Sequence, residues 1–260
     1  MTKRGVIRGP RALGVLAVVV SAIGLAGCLR PHCPPPTLPA TKANLERSIA
    51  GTGDLTPEQR VAVDWIRRAR AAEVGVTPRL LEIAEAGGGR LVGLEHKIKS
   101  LRSTVSKLER FRAKDTDTPL EEFEVYDALR YTMLVPDEPA GHHDATIREA
   151  LASLERDGFG IRKVKNYWPR GDSYSGTNCT LETPGGLPWE LQFHTPRSYE
   201  AKSSVHDDYD RMRDASTQIE ERRRLFEKMK EMWETIPIPE GILVPGSLHA
   251  NEEMRLLPAP

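Results

Sequence analysis

The sequence predicts an α+β domain in which a small mixed β-sheet is flanked by helices. Helical patterns fill the first part of the domain, strand-like segments follow, and a further helical stretch comes last. In the third helical segment apolar residues recur at intervals of three and four, whereas near residue 190 they alternate with polar ones. The first spacing is the period of an amphipathic α-helix, and the second is that of a strand with one buried face.

Three helices are expected ahead of the sheet. The first begins at Thr56-Pro57 and runs to about residue 73, because a hydroxyl residue before a proline is typical of a helix start. A second is expected over residues 77–87, where three glycines end it. The third is expected over residues 91–112, since its apolar residues form one continuous stripe. That stripe consists of Leu91, Leu94, Ile98, Leu101, Val105 and Leu108.

Beyond Pro119 the pattern changes to that of strands. Pro184-Gly185-Gly186 is expected to form a hairpin turn between the last two of them. A polar stretch at about residues 197–233 is expected to be helical. The strands are expected over residues 126–135, 161–168, 177–183 and 187–194, with a helix over residues 144–156.

The first residues have the features of an export signal. A basic start precedes an apolar run from Ala12 to Ala26, which is shorter than the roughly 20 residues that a membrane-spanning helix needs. The run ends in Leu25-Ala26-Gly27-Cys28, which resembles the lipobox of bacterial lipoproteins. This resemblance implies cleavage before Cys28 and lipid attachment to its sulfur, so that the exported protein is anchored to the outer face of the cytoplasmic membrane. A plain signal peptide, with secretion, or an uncleaved anchor is the alternative.

The chain is expected to consist of four parts. They are a signal peptide at residues 1–27, a Pro-rich tether at 28–53, one domain at 54–240 and an irregular tail at 241–260. Cys33 and Cys179 are expected to be free thiols. The 37 basic and 37 acidic residues cancel, so no overall charge favours nucleic acid or anionic lipid. The N-terminal lipid is therefore the one membrane contact expected.

A basic, hydroxyl-rich segment from Lys97 to Lys107 has the chemistry to hold a polyphosphate. On a helix, two ammonium groups separated by hydroxyls would share one face beside the apolar stripe. A solvated helix face is the alternative, and it is the usual meaning of lysine and serine at such positions. The residues concerned are Lys97, Ser100, Ser103, Thr104 and Lys107.

Two acidic residues are candidates for a metal site. Asp127 lies early in the expected strand over residues 126–135, where a buried carboxylate needs a metal or a basic partner. In the last strand, alternation places Glu190 on the face opposite to the core, in a row with Gln192 and His194. An edge or turn position for the aspartate and a solvent face for the glutamate are the alternatives. The core face of the last strand carries Trp189, Leu191 and Phe193.

A loop that is both aromatic and basic follows the strand at residues 161–168. Aromatic rings among basic groups can stack on a purine and hold its phosphates, although an ordinary polar loop is the alternative. The residues concerned are Lys163, Lys165, Tyr167, Trp168, Arg170 and Tyr174.

The order of these segments resembles the RelA/SpoT family of nucleotide pyrophosphokinases, in particular its small single-domain synthetases. The segment of residues 97–103, with Lys107, is similar to the family's basic phosphate-binding segment, and Asp127 falls where the family places its magnesium aspartate. The stretch of residues 167–174 looks like the family's acceptor loop. Glu190-Leu191-Gln192 matches the strand that carries the second catalytic carboxylate. The resemblance covers about residues 91–212.

This resemblance implies a nucleotidyltransferase-like fold and Mg²⁺-dependent transfer of the β,γ-pyrophosphate of ATP to the 3′-hydroxyl of a purine nucleotide. It implies that Asp127 and Glu190 hold the Mg²⁺, that Glu190 can also accept the hydroxyl proton, and that Tyr174 stacks on the acceptor base. Substrate-binding roles are implied for a further set of residues: Lys97, Lys99, Ser103, Lys107, Lys165, Arg170, Gln192 and His194.

Four positions depart from the family's pattern. Arg130 and Thr132 stand where glycine and arginine are usual, Asn178 stands in place of a histidine, and His194 in place of an arginine. Besides the pyrophosphokinase, two other hypotheses stay open, and the departures motivate the first of them. One is a lipoprotein of the same fold that binds nucleotides or a protein partner without catalysis, and the other is an exported toxin that consumes the ATP of target cells.

Overall fold

The computed structural model of the chain describes residues 55–168, 174–214 and 216–243. The expected signal peptide and tether, with Cys28 and Cys33, lie outside the described residues, as do Arg170 and most of the expected tail. The domain boundaries therefore stay predictions. None of the described helices is both long enough and apolar enough to cross a membrane.

A five-stranded mixed sheet forms the centre of the domain. Its strands are β1 (Arg90–Val92), β2 (Arg130–Leu134), β3 (Gly160–Asn166), β4 (Thr177–Glu182) and β5 (Pro188–His194). They are arranged in the order β1-β2-β5-β4-β3, and β2 runs parallel to β5 while the other neighbours are antiparallel. Because helices precede, interrupt and follow these strands, the structure confirms the α+β class and the mixed sheet expected from the sequence.

Six α-helices flank the sheet in the described part of the chain. They are α1 (Pro57–Ala86), α2 (Leu101–Lys114), α3 (His142–Arg156), α4 (Pro196–Ser204), α5 (His206–Arg213) and α6 (Ile219–Glu234). The stretch that was expected to be helical at residues 197–233 is thus divided into three helices. Thr195 caps the first of them, since its side chain accepts a hydrogen bond from Ser198 N at 3.1 Å.

α1 is one continuous helix, so the predicted break between residues 73 and 77 is wrong. Its start is as expected, because the Thr56 hydroxyl accepts from Gln59 N and the Gln59 side chain accepts from Thr56 N. Pro78 lies inside the helix, where it cannot donate the usual backbone hydrogen bond. The helix continues because residues on both sides of the proline, among them Trp65 and Leu80, are buried in one apolar core.

The predicted third helix over residues 91–112 is also wrong in its first half. The segment contains β1, a 3-10 turn at Leu94–His96 and an extended piece before α2 begins. Gly93 has a left-handed backbone (φ 62°), which ends β1, and the Ser100 side chain caps α2. All six residues of the apolar stripe still pack against the main core. The pattern therefore identified the residues that pack against the core, but it assigned them to one helix instead of several shorter elements.

The predicted strand over residues 126–135 begins later than expected. Tyr126–Ala128 forms a 3-10 turn, and β2 starts at Arg130. The other three predicted strands agree with β3, β4 and β5 to within two residues. The expected hairpin turn joins β4 to β5, with Thr183 N donating to Leu187 O at 2.9 Å and Gly186 at φ 77°.

The two faces of β5 are covered by different helices. On one face Trp189, Leu191 and Phe193 are fully buried, as the alternation predicted, and α1 reaches this face through the 2.6 Å hydrogen bond between the Thr77 and Tyr131 hydroxyls. On the opposite face the row of Glu190, Gln192 and His194 faces α4. α4 packs in turn on α6 in a small second apolar cluster of Ala201, Val205, Met229 and Trp233. A row of polar groups therefore lies between the sheet and the helix layer.

Candidate functional site

Asp127 is held between two lysines. Its carboxylate accepts hydrogen bonds from Lys107 Nζ at 2.6 Å and from Lys99 Nζ at 2.9 Å. The backbone fixes this contact, because Lys99 N donates to Ala128 O at 3.0 Å and Arg130 N donates to Lys97 O at 2.8 Å. These bonds pair the extended piece before α2 with the chain that leads into β2. The three charged side chains are only 13% to 19% exposed.

The charge state of this cluster follows from its burial and its pairing. Burial opposes ionisation of the Asp127 carboxyl, but Lys107 and Lys99 outweigh it and lower the pKa. Burial lowers the pKa of the Lys107 ammonium, and Asp127 and Glu190 oppose that shift. Asp127 is therefore ionised at neutral pH, beside two ammonium groups that can also bind phosphate oxygens.

The other residues of the basic segment have different places. Thr104 is fully buried and donates to Ser100 O at 3.0 Å, so the prediction that it lies on an exposed binding face is wrong. Ser103 is exposed at the start of α2, and its backbone N–H donates to the Ser100 hydroxyl. Lys97 lies before the helix, with Nζ 3.5 Å from Glu73 Oε1. Of the three lysines in the basic segment, the structure therefore brings Lys99 and Lys107 together at Asp127, whereas Lys97 pairs with Glu73.

Glu190 lies beside the Asp127 cluster without a salt bridge of its own among the described residues. Burial raises the pKa of its carboxyl, and the negative charge of Asp127 adds to that shift. Arg130 lies opposite Glu190 in the parallel register of β2 and β5 and acts in the other sense. A hydrogen bond from Gln192, its neighbour in the row, also favours the ionised form. Glu190 thus has a higher proton affinity than an ordinary exposed glutamate.

The charges of Asp127 and Glu190 influence the same two neighbouring groups, Lys107 and Tyr126. Asp127 and Glu190 both contribute to the pKa of Lys107, and both contribute to the raised pKa of the Tyr126 hydroxyl, whose main cause is burial. The Lys107 ammonium lies 4.3 Å from the centre of the Tyr126 ring. Asp127 and Glu190 therefore both lie near Lys107 and Tyr126.

The donor set fits a divalent cation only in part. No group of three or more His, Cys, Asp and Glu side chains in the described residues is arranged to hold a metal ion. Two carboxylates supply fewer ligands than the six oxygens that Mg²⁺ prefers, and phosphate oxygens and water would have to complete the set. The residues present fit an Mg²⁺ that arrives with a polyphosphate better than a cation held by protein alone.

Tyr174, expected to stack on a purine, lies in a cluster of rings. Its ring packs edge-on against Tyr167, His194 and Trp233, with centroids 5.3 to 5.6 Å apart. Its hydroxyl donates to Asn178 at 2.7 Å and lies 2.9 Å from His194 Nε2. In this arrangement other side chains of the domain contact both the ring and the hydroxyl of Tyr174.

His194, another candidate of the sequence, is completely buried behind the site. Its Nδ1 lies 2.9 Å from the Ser198 hydroxyl. Burial lowers the pKa of the imidazole well below its usual value, with a smaller contribution from the charge of Lys202. His194 is therefore neutral, and it positions Tyr174 instead of supplying a charge.

Two cations near Glu190 were not found by reasoning from the sequence. Lys202 donates from Nζ to Gln192 Oε1 at 2.5 Å, and Arg130 lies at the start of β2. Lys202 had a signal in the sequence, because His194, Ser198 and Lys202 follow one another at intervals of four across the strand end and α4. Arg130 had none beyond its departure from the family's glycine. Lys165 is half-buried on β3, where it pairs with Asn178.

Neither a protein-family model nor a curated protein matches the sequence. Among solved structures, the complex of the Type VI effector Tas1 with its immunity protein is similar at 19% identity and a TM-score of 0.45, over 70% of this chain and 97% of that one. The small alarmone synthetase 1 from Bacillus subtilis, bound to its product pppGpp, is similar at 14% identity and a TM-score of 0.44, over 64% of this chain and 87% of that one.

A GTP pyrophosphokinase family protein from Streptococcus pneumoniae is similar at 14% identity and a TM-score of 0.44, over 69% of this chain and 89% of that one. These likenesses concern the overall fold. The chemistry of the site rests on the side chains of this chain.

Proposed function

We propose that this protein transfers the β,γ-pyrophosphate of ATP to the 3′-hydroxyl of a purine nucleotide and releases AMP. The observation that carries the proposal is the pairing of two unlike carboxylates. Asp127 is ionised between two lysines, and Glu190, next to it, has a raised pKa. In such a pair one carboxylate stays charged and can hold a cation beside the phosphates, while the other can also accept a proton.

Lys99 and Lys107 would bind the β- and γ-phosphates of ATP at the position where they now hold Asp127. Asp127 and Glu190 would hold Mg²⁺, which neutralises charge on the phosphates while the transfer takes place. The 3′-hydroxyl oxygen of the acceptor forms a bond to the β-phosphorus. The bond from that phosphorus to the oxygen that bridges it to the α-phosphate breaks, so AMP leaves with the bridging oxygen. Glu190 accepts the hydroxyl proton.

The two ion pairs of Asp127 link nucleotide binding to cation binding. While both lysines are bound to Asp127, its carboxylate oxygens are already used. When the phosphates of ATP take over the lysines, the carboxylate becomes available to the cation that the nucleotide brings. Cation and ATP should therefore bind to the protein with strong mutual dependence.

The transfer is tested by incubating the purified chain with γ-labelled ATP, Mg²⁺ and GDP, GTP or ATP as acceptor. Label should appear in a product larger than the acceptor, and the Glu190→Gln variant should give far less of it. Nucleotide binding without any labelled product would instead favour a non-catalytic binding protein. Growth arrest on expression of the domain inside cells, relieved by Asp127→Asn, would favour a toxin.

We further propose export and lipid attachment at Cys28, and the support is the sequence of the first 28 residues. Radioactive palmitate should label the chain in bacterial cells, and the Cys28→Ser variant should stay unlabelled. Equal labelling of both would contradict the assignment.

A further inference from the structure

The long helix α1 carries a second apolar stripe on the side that points away from the core. Its buried residues, among them Trp65, Val76 and Ile83, lie on the side that packs against the rest of the domain. On the opposite side Val74 is 72% exposed and Leu81 is 47% exposed. The six exposed residues of this outer stripe are Arg67, Ala71, Val74, Pro78, Leu81 and Glu85.

The outer stripe has the spacing of a surface that pairs with another helix. Its residues follow one another at alternating intervals of four and three, which keeps one narrow row facing a partner helix over several turns. The exposure of Val74 and Leu81 means that no described part of the chain covers this row. Single apolar residues on a surface are ordinary, but an aligned row of them is typical of a contact surface.

Gly75 lies beside the outer stripe, in the middle of the helix. A Cβ atom at this position would meet open space among the described residues, so packing inside the domain does not require glycine here. Glycine also weakens a helix relative to alanine. The close approach of another backbone gives the glycine a purpose, because the missing side chain leaves room for it.

The two ends of the outer stripe carry opposite charges. Arg67 and Glu85 lie about 27 Å apart along the helix axis. In a parallel pair of copies each of these charges would face the same charge. In an antiparallel pair with a two-fold axis near Val76, Arg67 of each copy faces Glu85 of the other. Arg68 and Glu82, which flank the stripe and are also exposed, repeat this arrangement.

We propose that the outer stripe of α1 binds a second copy of this chain, with the two helices antiparallel. In this pair Ala71 faces Leu81 of the second copy, and Val74 faces Pro78. An anionic membrane surface does not suit the stripe, because it would repel the end that carries Glu85. One helix face is a small interface, so we expect a dissociation constant in the micromolar range. The proposal does not depend on the proposed transfer, since the row of Glu190 faces α4 and not α1.

Disulfide cross-linking of the full chain tests the pairing. Arg67→Cys and Glu85→Cys are made separately in chains with serine at positions 28 and 33, while the fully buried Cys179 is kept. When the two chains are mixed at micromolar concentration and oxidised, they should cross-link to each other, and neither should cross-link to itself. Glu200→Cys, at an exposed position on α4, replaces Arg67→Cys in the control mixture, which should give only background product.

Substitutions in the stripe test its chemistry. Leu81→Asp in both cysteine chains should lower the yield of cross-linked product about tenfold or more. In the chain without added cysteines, Arg67→Glu and Glu85→Arg should each weaken dimerisation in sedimentation experiments about fivefold. The variant with both changes should return to the wild-type affinity, because opposite charges then face each other again. Thermal melting verifies that each variant is folded.

Three results would overturn the proposal. The first is background cross-linking in the mixture of Arg67→Cys and Glu85→Cys. The second is cross-linking of each of these chains to itself but not to the other, which would indicate a parallel pair. The third is a melting temperature of Leu81→Asp far below that of the wild type at concentrations where the wild type is monomeric. That result would mean that another segment of the same chain covers the stripe.

Discussion

Asp127 and Glu190 lie in the same site but in opposite electrostatic surroundings. Asp127 has two ammonium partners within 2.9 Å, and they lower the pKa of its carboxyl despite burial. Glu190 has a neutral amide as its hydrogen-bond partner, and burial raises the pKa of its carboxyl. Identical chemistry in the two side chains thus gives one fixed anion and one proton acceptor. The surroundings of a carboxyl group therefore determine whether it serves as a fixed anion or as a proton acceptor.

Local structure produces this difference. Asp127 lies in a 3-10 turn next to the extended piece of chain before α2. Lys99 from that piece and Lys107 from α2 can therefore both reach its carboxylate. Glu190 lies inside a strand, where its neighbours are fixed by the register with β2 and by the cover of α4. Removing each charge should therefore have different consequences for catalysis and for stability.

The largest expected effect is on catalysis by Glu190. Glu190→Gln keeps the size of the side chain but cannot accept a proton, so the transfer rate should fall by about 10²–10⁴. Binding of ATP should change much less, because the lysines of Asp127 remain. Rates of labelled product formation, with ATP affinity from calorimetry, measure the two effects. Glu200→Gln, an exposed change of the same chemistry on α4, should leave both unaltered. Full activity of Glu190→Gln would show that Glu190 does not accept the proton in this reaction.

Stability should respond in the opposite order. Asp127→Asn leaves Lys99 and Lys107 side by side without their anion, so the free energy of unfolding should drop by roughly 3 kcal/mol. Glu190→Gln removes a buried carboxylate that lacks a salt bridge, and it should stay within about 0.5 kcal/mol of the wild type or above it. Urea unfolding at neutral pH, followed by tryptophan fluorescence, gives both values. An equal drop in the free energy of unfolding for Asp127→Asn and Glu190→Gln would contradict the difference between their electrostatic surroundings.

The dependence of the rate on pH should have two limbs. On the acid side, kcat/KM falls as pH drops below the raised pKa of Glu190, because the protonated carboxyl cannot accept a proton. On the alkaline side it falls above about pH 8, where Lys202, which faces Arg130, Glu190 and Tyr199, loses its charge. Lys202→Arg should move the alkaline limb to higher pH, since a guanidinium stays charged there. An alkaline limb that does not move would assign it to another group.

The smallest expected effect concerns the cation. Lys99→Met removes one of the two partners of Asp127, so Mg²⁺ alone should bind to the nucleotide-free protein roughly fivefold more tightly. Lys97→Met is the matched control, because Lys97 pairs with Glu73 and should not affect the cation. Calorimetric titration with Mg²⁺ compares them. Equal Mg²⁺ affinity in Lys99→Met and Lys97→Met would mean that the lysines do not limit access to Asp127.

Sequence patterns predicted the interior of the domain better than the form of its elements. The alternation in β5 correctly identified Trp189, Leu191 and Phe193 as core, because a period of two fixes a face without knowledge of the neighbours. The apolar stripe of residues 91–112 also identified residues that pack against the core. It did not reveal the break at Gly93 and Ser100, since a spacing of three and four is met equally by a short strand, a turn and a helix that pack on one core.

The candidate site was predicted as far as single motifs allow. The need of Asp127 for a metal or a basic partner followed from the cost of a buried charge, and the structure supplies two basic partners. Which lysines would serve could not be predicted, because this depends on the backbone pairing of residues 97–99 with 128–130. Arg130 and Lys202 were missed for the same reason. Their approach to Glu190 depends on the β2–β5 register and on the position of α4, which are both long-range features.

Phosphorus NMR of the reaction tests the central claim most directly. The chain is mixed with ATP, Mg²⁺ and a purine nucleoside 5′-diphosphate, and the spectra are followed in time beside those of Glu190→Gln. The account predicts AMP and a new 3′-diphosphate signal that rise together in equal amounts with the wild type and barely at all with the variant. ADP and inorganic phosphate in their place, or equal product from both proteins, would contradict it.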